Sequence, residues 1–242
     1  MTPPLLLLIW TLMAPIQSGM AAITADEIVA KADEVRNPQI DYKAMIKVTS
    51  YKPRSSPRSA DYEVLFKGRD RTLVKTLAPT VERGVSILMV GRDLWTFLPD
   101  VSQPVRISMQ QRLLGEISVG DIARANFSGD YKARLVKEDA KSYFLELSAL
   151  GDYVAYDRVA YTVRKADFRP IRADFFGASG KRLKTCRYED FKILGDRQRP
   201  SRLVMTDAAV ADQKSVVHYS EVTLERFPDK FFTKDFLKKL KY

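Results

Sequence analysis

From Ile40 to Val222 the chain repeats one pattern, short runs in which apolar and polar residues alternate, punctuated by Gly and Pro. Successive side chains on a strand point to opposite faces, so each run offers one apolar and one wet face. The first run sets Ile40, Tyr42, Ala44, Ile46 and Val48 against Asp41, Lys43, Lys47 and Thr49. Similar runs follow at 62–67, 72–77, 85–90, 94–98 and 105–108, and again at 131–137, 142–149, 158–165, 171–176, 182–191, 203–206 and 216–222. Polar links as short as Gly177 to Gly180 suit antiparallel neighbours, because parallel pairs need long crossovers. The expected architecture is mainly β, a meander of about eleven strands.

Three segments leave this period. Thr24 followed by Glu27 is a capping box, and Ile28, Val29, Ala32 and Val35 recur at helical spacing behind it. A short helix is therefore expected up to Val35, stopped by Asn37 and Pro38. Between Met109 and Phe127, Leu113, Leu114 and Ile117 make one apolar patch and Ile122 with Ala123 another. Gly115 and Gly120 interrupt them, which predicts broken helices or a lid. Phe231, Phe232, Phe236, Leu237 and Leu240 lie at helical spacing about Thr233, a candidate cap, so a last helix should pack on the sheet.

From Val85 to Leu98 both strand faces are apolar. Ile87 and Met89 alternate with Leu88 and Val90, and Leu94 and Leu98 with Trp95 and Phe97. Both faces must then be covered. Few short helices are available for so many strands, so a strongly curved sheet with helices on its concave side is the economical arrangement; such an interior is a natural apolar ligand site, or, where the helices fill it entirely, plain core. The candidate ligand-lining residues are Leu88, Val90, Trp95, Phe97, Leu113, Leu114 and Ile122. Alternation does not fix which parity faces the interior.

The amino terminus carries an uncharged apolar stretch, Leu5 to Ile9 with Trp10, Leu12 and Met13, followed by Ser18, Gly19, Ala21 and Ala22. That is the form of an export signal, too short to span a bilayer, with cleavage expected near Ala22. Residues 1–22 are read as a signal peptide and residues 23–242 as one soluble β domain, exported to the periplasm. The lone cysteine, Cys186, can form no internal disulfide. A net charge of +10, from 40 basic and 30 acidic residues, favours transient contact with an anionic membrane surface. For an exported protein it does not indicate nucleic acid.

Catalysis needs positioned acids, bases, nucleophiles or metals, and the inventory here is thin. His218 is the only histidine and sits in an alternating run; one histidine and one cysteine supply no metal-ligand spacing. No nucleophile elbow or phosphate loop occurs, and Glu189 and Asp190 point to opposite faces of a regular strand. The chain is therefore read as a non-enzyme without cofactor, metal or catalytic residues. The alternatives are a carboxylate-based hydrolase, a docking module with no ligand of its own, and a nucleic-acid-binding sheet.

The segments Arg83-Gly84-Val85, Gly91-Arg92-Asp93-Leu94-Trp95-Thr96-Phe97-Leu98-Pro99 and Val105-Arg106-Ile107 resemble those of the outer-membrane lipoprotein-sorting proteins, the LolA-like carriers. The similarity continues through Tyr156-Asp157-Arg158-Val159, Arg169-Pro170-Ile171-Arg172-Ala173 and Pro200-Ser201-Arg202-Leu203-Val204-Met205 to Phe231-Phe232-Thr233. It implies an incomplete antiparallel β-barrel with a helical lid over a cavity that takes a lipid or lipoprotein acyl chain between inner and outer membrane. It also implies, as partner, an inner-membrane transporter of the resistance-nodulation type, in which case the docking-module alternative is an accessory of that export complex. The chain departs from the family pattern at Gly115-Glu116-Ile117-Ser118-Val119-Gly120-Asp121-Ile122, where relatives carry a Gly-Ser-Asp-Phe-like stretch, so an altered lid and a lipid-like cargo in general are expected.

Overall fold

The computed structural model describes residues 22–239; the expected signal peptide, apart from Ala22, lies outside them, as does Leu240. Helix α1 (Ala25–Arg36) begins with the expected reciprocal cap, the Glu27 carboxylate accepting from the Thr24 amide at 2.7 Å and the Thr24 hydroxyl from the Glu27 amide at 3.3 Å. It ends beside Asn37, one residue before Pro38, as the sequence predicts.

Strands β1 (Tyr42–Tyr51), β2 (Arg58–Lys67), β3 (Arg71–Ala78), β4 (Ser86–Val90), β5 (Asp93–Phe97) and β6 (Val105–Ile107) form a first meander. A small hairpin, β7 (Arg112–Leu114) and β8 (Ile117–Ser118), and helix α2 (Val119–Ala123) interrupt it. The second meander comprises β9 (Tyr131–Glu138), β10 (Ser142–Ala149), β11 (Arg158–Arg164), β12 (Pro170–Phe176), β13 (Arg182–Leu194), β14 (Arg197–Asp207) and β15 (Lys214–Leu224). A 3₁₀ turn (Asp229–Phe232) and helix α3 (Lys234–Lys239) follow.

The two meanders join through β1 and β15, where Val48 lies opposite Val217, giving one antiparallel sheet in the order β6-β5-β4-β3-β2-β1-β15-β14-β13-β12-β11-β10-β9. The sheet has 13 strands, where about eleven were expected, because every one of the alternating runs pairs. Strands β6 and β9 are its edges, so the barrel stays incomplete. Helix α1 touches β9, β12 and β14; strands so far apart in the order can meet one helix only if the sheet wraps around it.

The apolar run over β4 and β5 is covered on both faces, by different parts of the chain. Inward, Val64 lies opposite Val74 and Val74 opposite Ile87, joining Met89, Leu94, Ile28, Val29 and Ile122 in the main core. Outward, Leu65, Leu73, Leu88 and Trp95 form a row of cross-strand neighbours. Phe227, Phe232 and Leu237 of the carboxy-terminal segment cover that row in a second cluster. The Thr233 hydroxyl accepts from the Phe236 amide at 3.2 Å, capping α3 where the sequence places a cap.

Candidate functional site beneath a hairpin and helix lid

The segment from Met109 to Phe127 lies across the concave side of the sheet. It contains only the hairpin β7–β8 and the five-residue α2, so the expected broken helices are one short helix and a hairpin. Ser118 and Asp121 form a second capping box: the Ser118 hydroxyl accepts from the Asp121 amide at 3.3 Å, and the Asp121 carboxylate from the Ser118 amide at 2.7 Å. Met109, Leu114, Ile117, Val119, Ile122 and Phe127 insert into the main core. This apolar lid face faces the inward rows of both meanders.

Polar anchors fix the lid at several points on the sheet. Gly115 has φ +56°, and a Cβ there would stand 2.3 Å from the hydroxyls of both Ser50 on β1 and Ser215 on β15. Only glycine lets the hairpin approach this closely. The Glu116 amide then donates to the Ser215 hydroxyl at 2.9 Å. On the far side, the Thr72 hydroxyl donates to the Ala123 carbonyl at 2.9 Å, and Arg124 donates to the Gly91 carbonyl at 2.5 Å and to Asp130. At its end, the amides of Phe127 and Ser128 donate to the fully buried Asp33 of α1 at 2.8 and 2.7 Å, while Arg36 donates to the same carboxylate at 3.0 Å.

The strongest anchor is a buried ion pair between Asp121 of α2 and Lys184 of β13, with side-chain exposures of 3% and 6%. Lys184 also donates to the Glu116 carbonyl at 2.7 Å, and the Tyr156 hydroxyl donates to Asp121 at 2.8 Å. Nearby, Glu116 accepts from Gln213 at 2.7 Å. Burial pushes the Glu116 carboxyl above its usual range, the neighbouring Asp207 adds to this, and the Gln213 bond opposes it.

This ion pair stands between two spaces. Under the lid is a partly enclosed cavity of about 50 Å³, lined by Asp121 and Phe127 from the lid, Phe175, Leu203, Met205 and Tyr219 from the sheet, and the polar Arg36 and Arg199. Outside it a groove of about 520 Å³ runs between the β7–β8 hairpin and the β12–β13 turn, with Lys184 in its wall. Ala155 and Tyr156 line both. The Asp121–Lys184 pair, with Tyr156, is thus the partition between groove and cavity.

The structure divides the seven residues chosen from sequence. Leu114 and Ile122 are buried in the core under the lid, and Leu113 packs against it half-buried. Leu88, Val90, Trp95 and Phe97 belong to the outward cluster beneath the carboxy-terminal segment, away from the concave side. The reason is parity: with both faces of β4 and β5 apolar, pattern alone could not say that Ile87, Met89 and Leu94 point inward. None of the seven lines the cavity. Of the polar residues that do, Arg36 and Arg199 were missed, although each had a signal. Arg199 shares the inward parity of Leu203 and Met205, and Arg36 follows Ile28, Val29 and Ala32 on one face of α1.

The remaining reactive groups lie apart. His218 is exposed on β15, opposite Lys47 and Arg202, and burial pushes the Cys186 thiol up to about 12. Among the described residues no cluster of three His, Cys, Asp or Glu could hold a metal, and no helix is long and apolar enough to cross a membrane.

Comparison with known proteins matches residues 68–239 to a family model described as "-like: Uncharacterized protein". No curated protein matches. Among solved structures, a LolA superfamily protein of Nitrosomonas europaea is 43% identical, with a TM-score of 0.85 over 89% of this chain and 100% of that one. A DUF1329 family protein of Desulfovibrio piger is 18% identical (TM-score 0.76; 88% and 97% covered). A Vibrio parahaemolyticus domain described as outer membrane lipoprotein-sorting is 19% identical (TM-score 0.74; 88% and 98% covered). The last two are similar in fold alone.

Proposed function

Because the chain belongs to the LolA superfamily, we propose that it is a periplasmic carrier that buries an acyl chain of a lipid or lipoprotein beneath the 109–127 lid and moves it between inner and outer membrane. The observation that carries this reading is the partition. A small, partly enclosed cavity and a larger open groove are separated by the Asp121–Lys184 pair with Tyr156, and that pair joins the lid to the sheet. Released at Lys184, the lid swings outward and merges the two spaces into a pocket of lipid size, about 300–1,000 Å³. Burial of acyl surface at about 25 cal/mol per Å² then competes with the lid's own contacts for the concave core. Loading and lid closure oppose each other, as reversible carriage requires. No bond is made or broken.

The function is tested by mass spectrometry of organic extracts from protein purified natively from its own host. A stoichiometric lipid is expected. One specific observation favours the alternative, a docking accessory of an inner-membrane export complex: the cavity holds only about 50 Å³, room for a few waters and not for an acyl chain. A reproducibly lipid-free extract, with no uptake from added vesicles, refutes the carrier and leaves the docking module. A resistance-nodulation transporter as partner follows from the sequence resemblance alone, and no surface is assigned to it.

A further inference from the structure

Around Arg199 the cavity is polar in a way that acyl burial does not require. Arg199 stands near the start of β14 in the inward register that continues as Ser201, Leu203 and Met205, and all four are buried. Its guanidinium lies over the Tyr42 ring, 4.7 Å from the centroid. Its Nε and Nη2 are buried and have no hydrogen-bond partner. Asp196 Oδ1 stands 3.6 Å from Nη2, but Arg197 already holds that carboxylate through two bonds, at 3.0 and 2.7 Å. Arg199 is 97% buried, at 3% exposure, without a full counter-charge.

Its neighbours are also unsatisfied. Arg36 gives two nitrogens to Asp33 and Tyr188 at 3.0 Å each, which balances its charge, yet its Nε has no partner. Asn126 Oδ1, in the lining of the same cavity, is equally unpartnered. Native proteins pair nearly all buried polar atoms, and a buried donor left alone is costly. The three unpartnered nitrogens of Arg36 and Arg199 are donors, unlike the Asn126 acceptor, and mark a place where an anionic ligand supplies the missing acceptors.

We infer that this end of the cavity seats the anionic head of a single-headed amphiphile, a fatty-acid carboxylate. Nε–H and Nη2–H form the parallel edge of the guanidinium and meet both oxygens of one carboxylate in a charge-assisted bidentate pair. Arg199 and Met205 are six positions apart on one strand, about 20 Å at ~3.3 Å per residue, so the tail runs from Arg199 past Leu203 and Met205 toward the lid. This inference rests on the carrier reading and adds the ligand's charge and orientation: the head goes to Arg199, the tail lies under the lid.

The test titrates delipidated protein with palmitate, methyl palmitate and hexadecyl phosphate, by displacement of an apolar fluorophore and by thermal shift, in the wild type, Arg199→Met and Arg199→Lys. Wild type should bind palmitate roughly ten- to a hundredfold more tightly than the neutral ester. Arg199→Met should bind both at the ester's affinity, and Arg199→Lys should lose most of the preference, since an ammonium offers no parallel donor edge. Removal of an uncompensated buried charge leaves the Arg199→Met melting temperature at or above wild type, and a given palmitate concentration should raise it less in the variant than in the wild type. If Arg199→Met does not fold, Arg199→Lys carries the test. Equal binding of acid and ester by wild type, or a preference surviving both variants, overturns the anion seat while the carrier stands. Binding of hexadecyl phosphate without palmitate overturns the carboxylate in favour of a phosphate head. Failure of all three amphiphiles to bind overturns both readings.

Discussion

Replacing Lys184 by Met tests whether the partition controls the lid. Lys184 is buried and gives bonds to Asp121 and to the Glu116 carbonyl, so the substitution removes two lid anchors at once. Breaking a buried pair from one side costs about 3–5 kcal/mol, because the remaining charge is left uncompensated. Asp121 keeps its bonds from the Ser118 amide and the Tyr156 hydroxyl, which puts the loss near the lower end, about 3 kcal/mol, or roughly a hundredfold in the lid-opening equilibrium. Hydrogen exchange reads this directly. The amides of Val119, Gly120 and Arg124 are bonded within the lid segment and should exchange roughly a hundredfold faster in the variant, with strand amides of β13 and β14 little changed. Combined with Asp121→Asn, the effects should fall short of additivity by about 1–3 kcal/mol, as for members of one network. Lid amides exchanging at the wild-type rate refute the latch. Uniform acceleration across the sheet refutes it too, since Lys184 would then support the fold as a whole.

Phe97→Ala should lower stability to urea by about 3 kcal/mol and leave lipid retention intact, because Phe97 packs outward under the carboxy-terminal segment; loss of retention with unchanged stability contradicts that placement. Leu114→Asp, which puts an unpaired charge into the core under the lid, should abolish retention in the extraction assay, and wild-type retention rules out the site. Gly115→Ala should open the hairpin, through a strained φ of about 1–2 kcal/mol and the collision with Ser50 and Ser215; protease resistance equal to wild type in the 109–118 segment counts against this docking. The Glu116 carboxyl is raised in the folded state by burial, so its protonated form is favoured there. That contribution is complete below the ordinary glutamate value and is lost as pH rises through the raised one. Glu116→Gln, which mimics the protonated form, should flatten this part of the stability profile above pH 4.5 in urea melts, and identical slopes in the two proteins remove Glu116 as the source.

The sequence by itself determined the repeating unit and therefore the fold class. Period-two alternation with short polar turns admits antiparallel neighbours, and the strands form where the runs of Tyr42, Tyr62, Thr72 and Tyr131 predict them. The caps at Thr24 and Thr233 were equally legible, because capping depends on residues a few positions apart. Only the tertiary structure decided which face of β4 and β5 looks inward. Leu88 and Ile87 are chemically alike, and what separates them is the carboxy-terminal segment, more than a hundred positions away, lying on one side of the sheet. The lid's anchors were hidden for the same reason. Asp121 and Lys184, Asp33 and Phe127, and Gly115 and Ser215 are remote in sequence, and each is unremarkable until the curved sheet brings them into contact. Local periodicity sets which elements a chain forms; burial, charge pairing and close approach are properties of residues brought together, and the site is made of these.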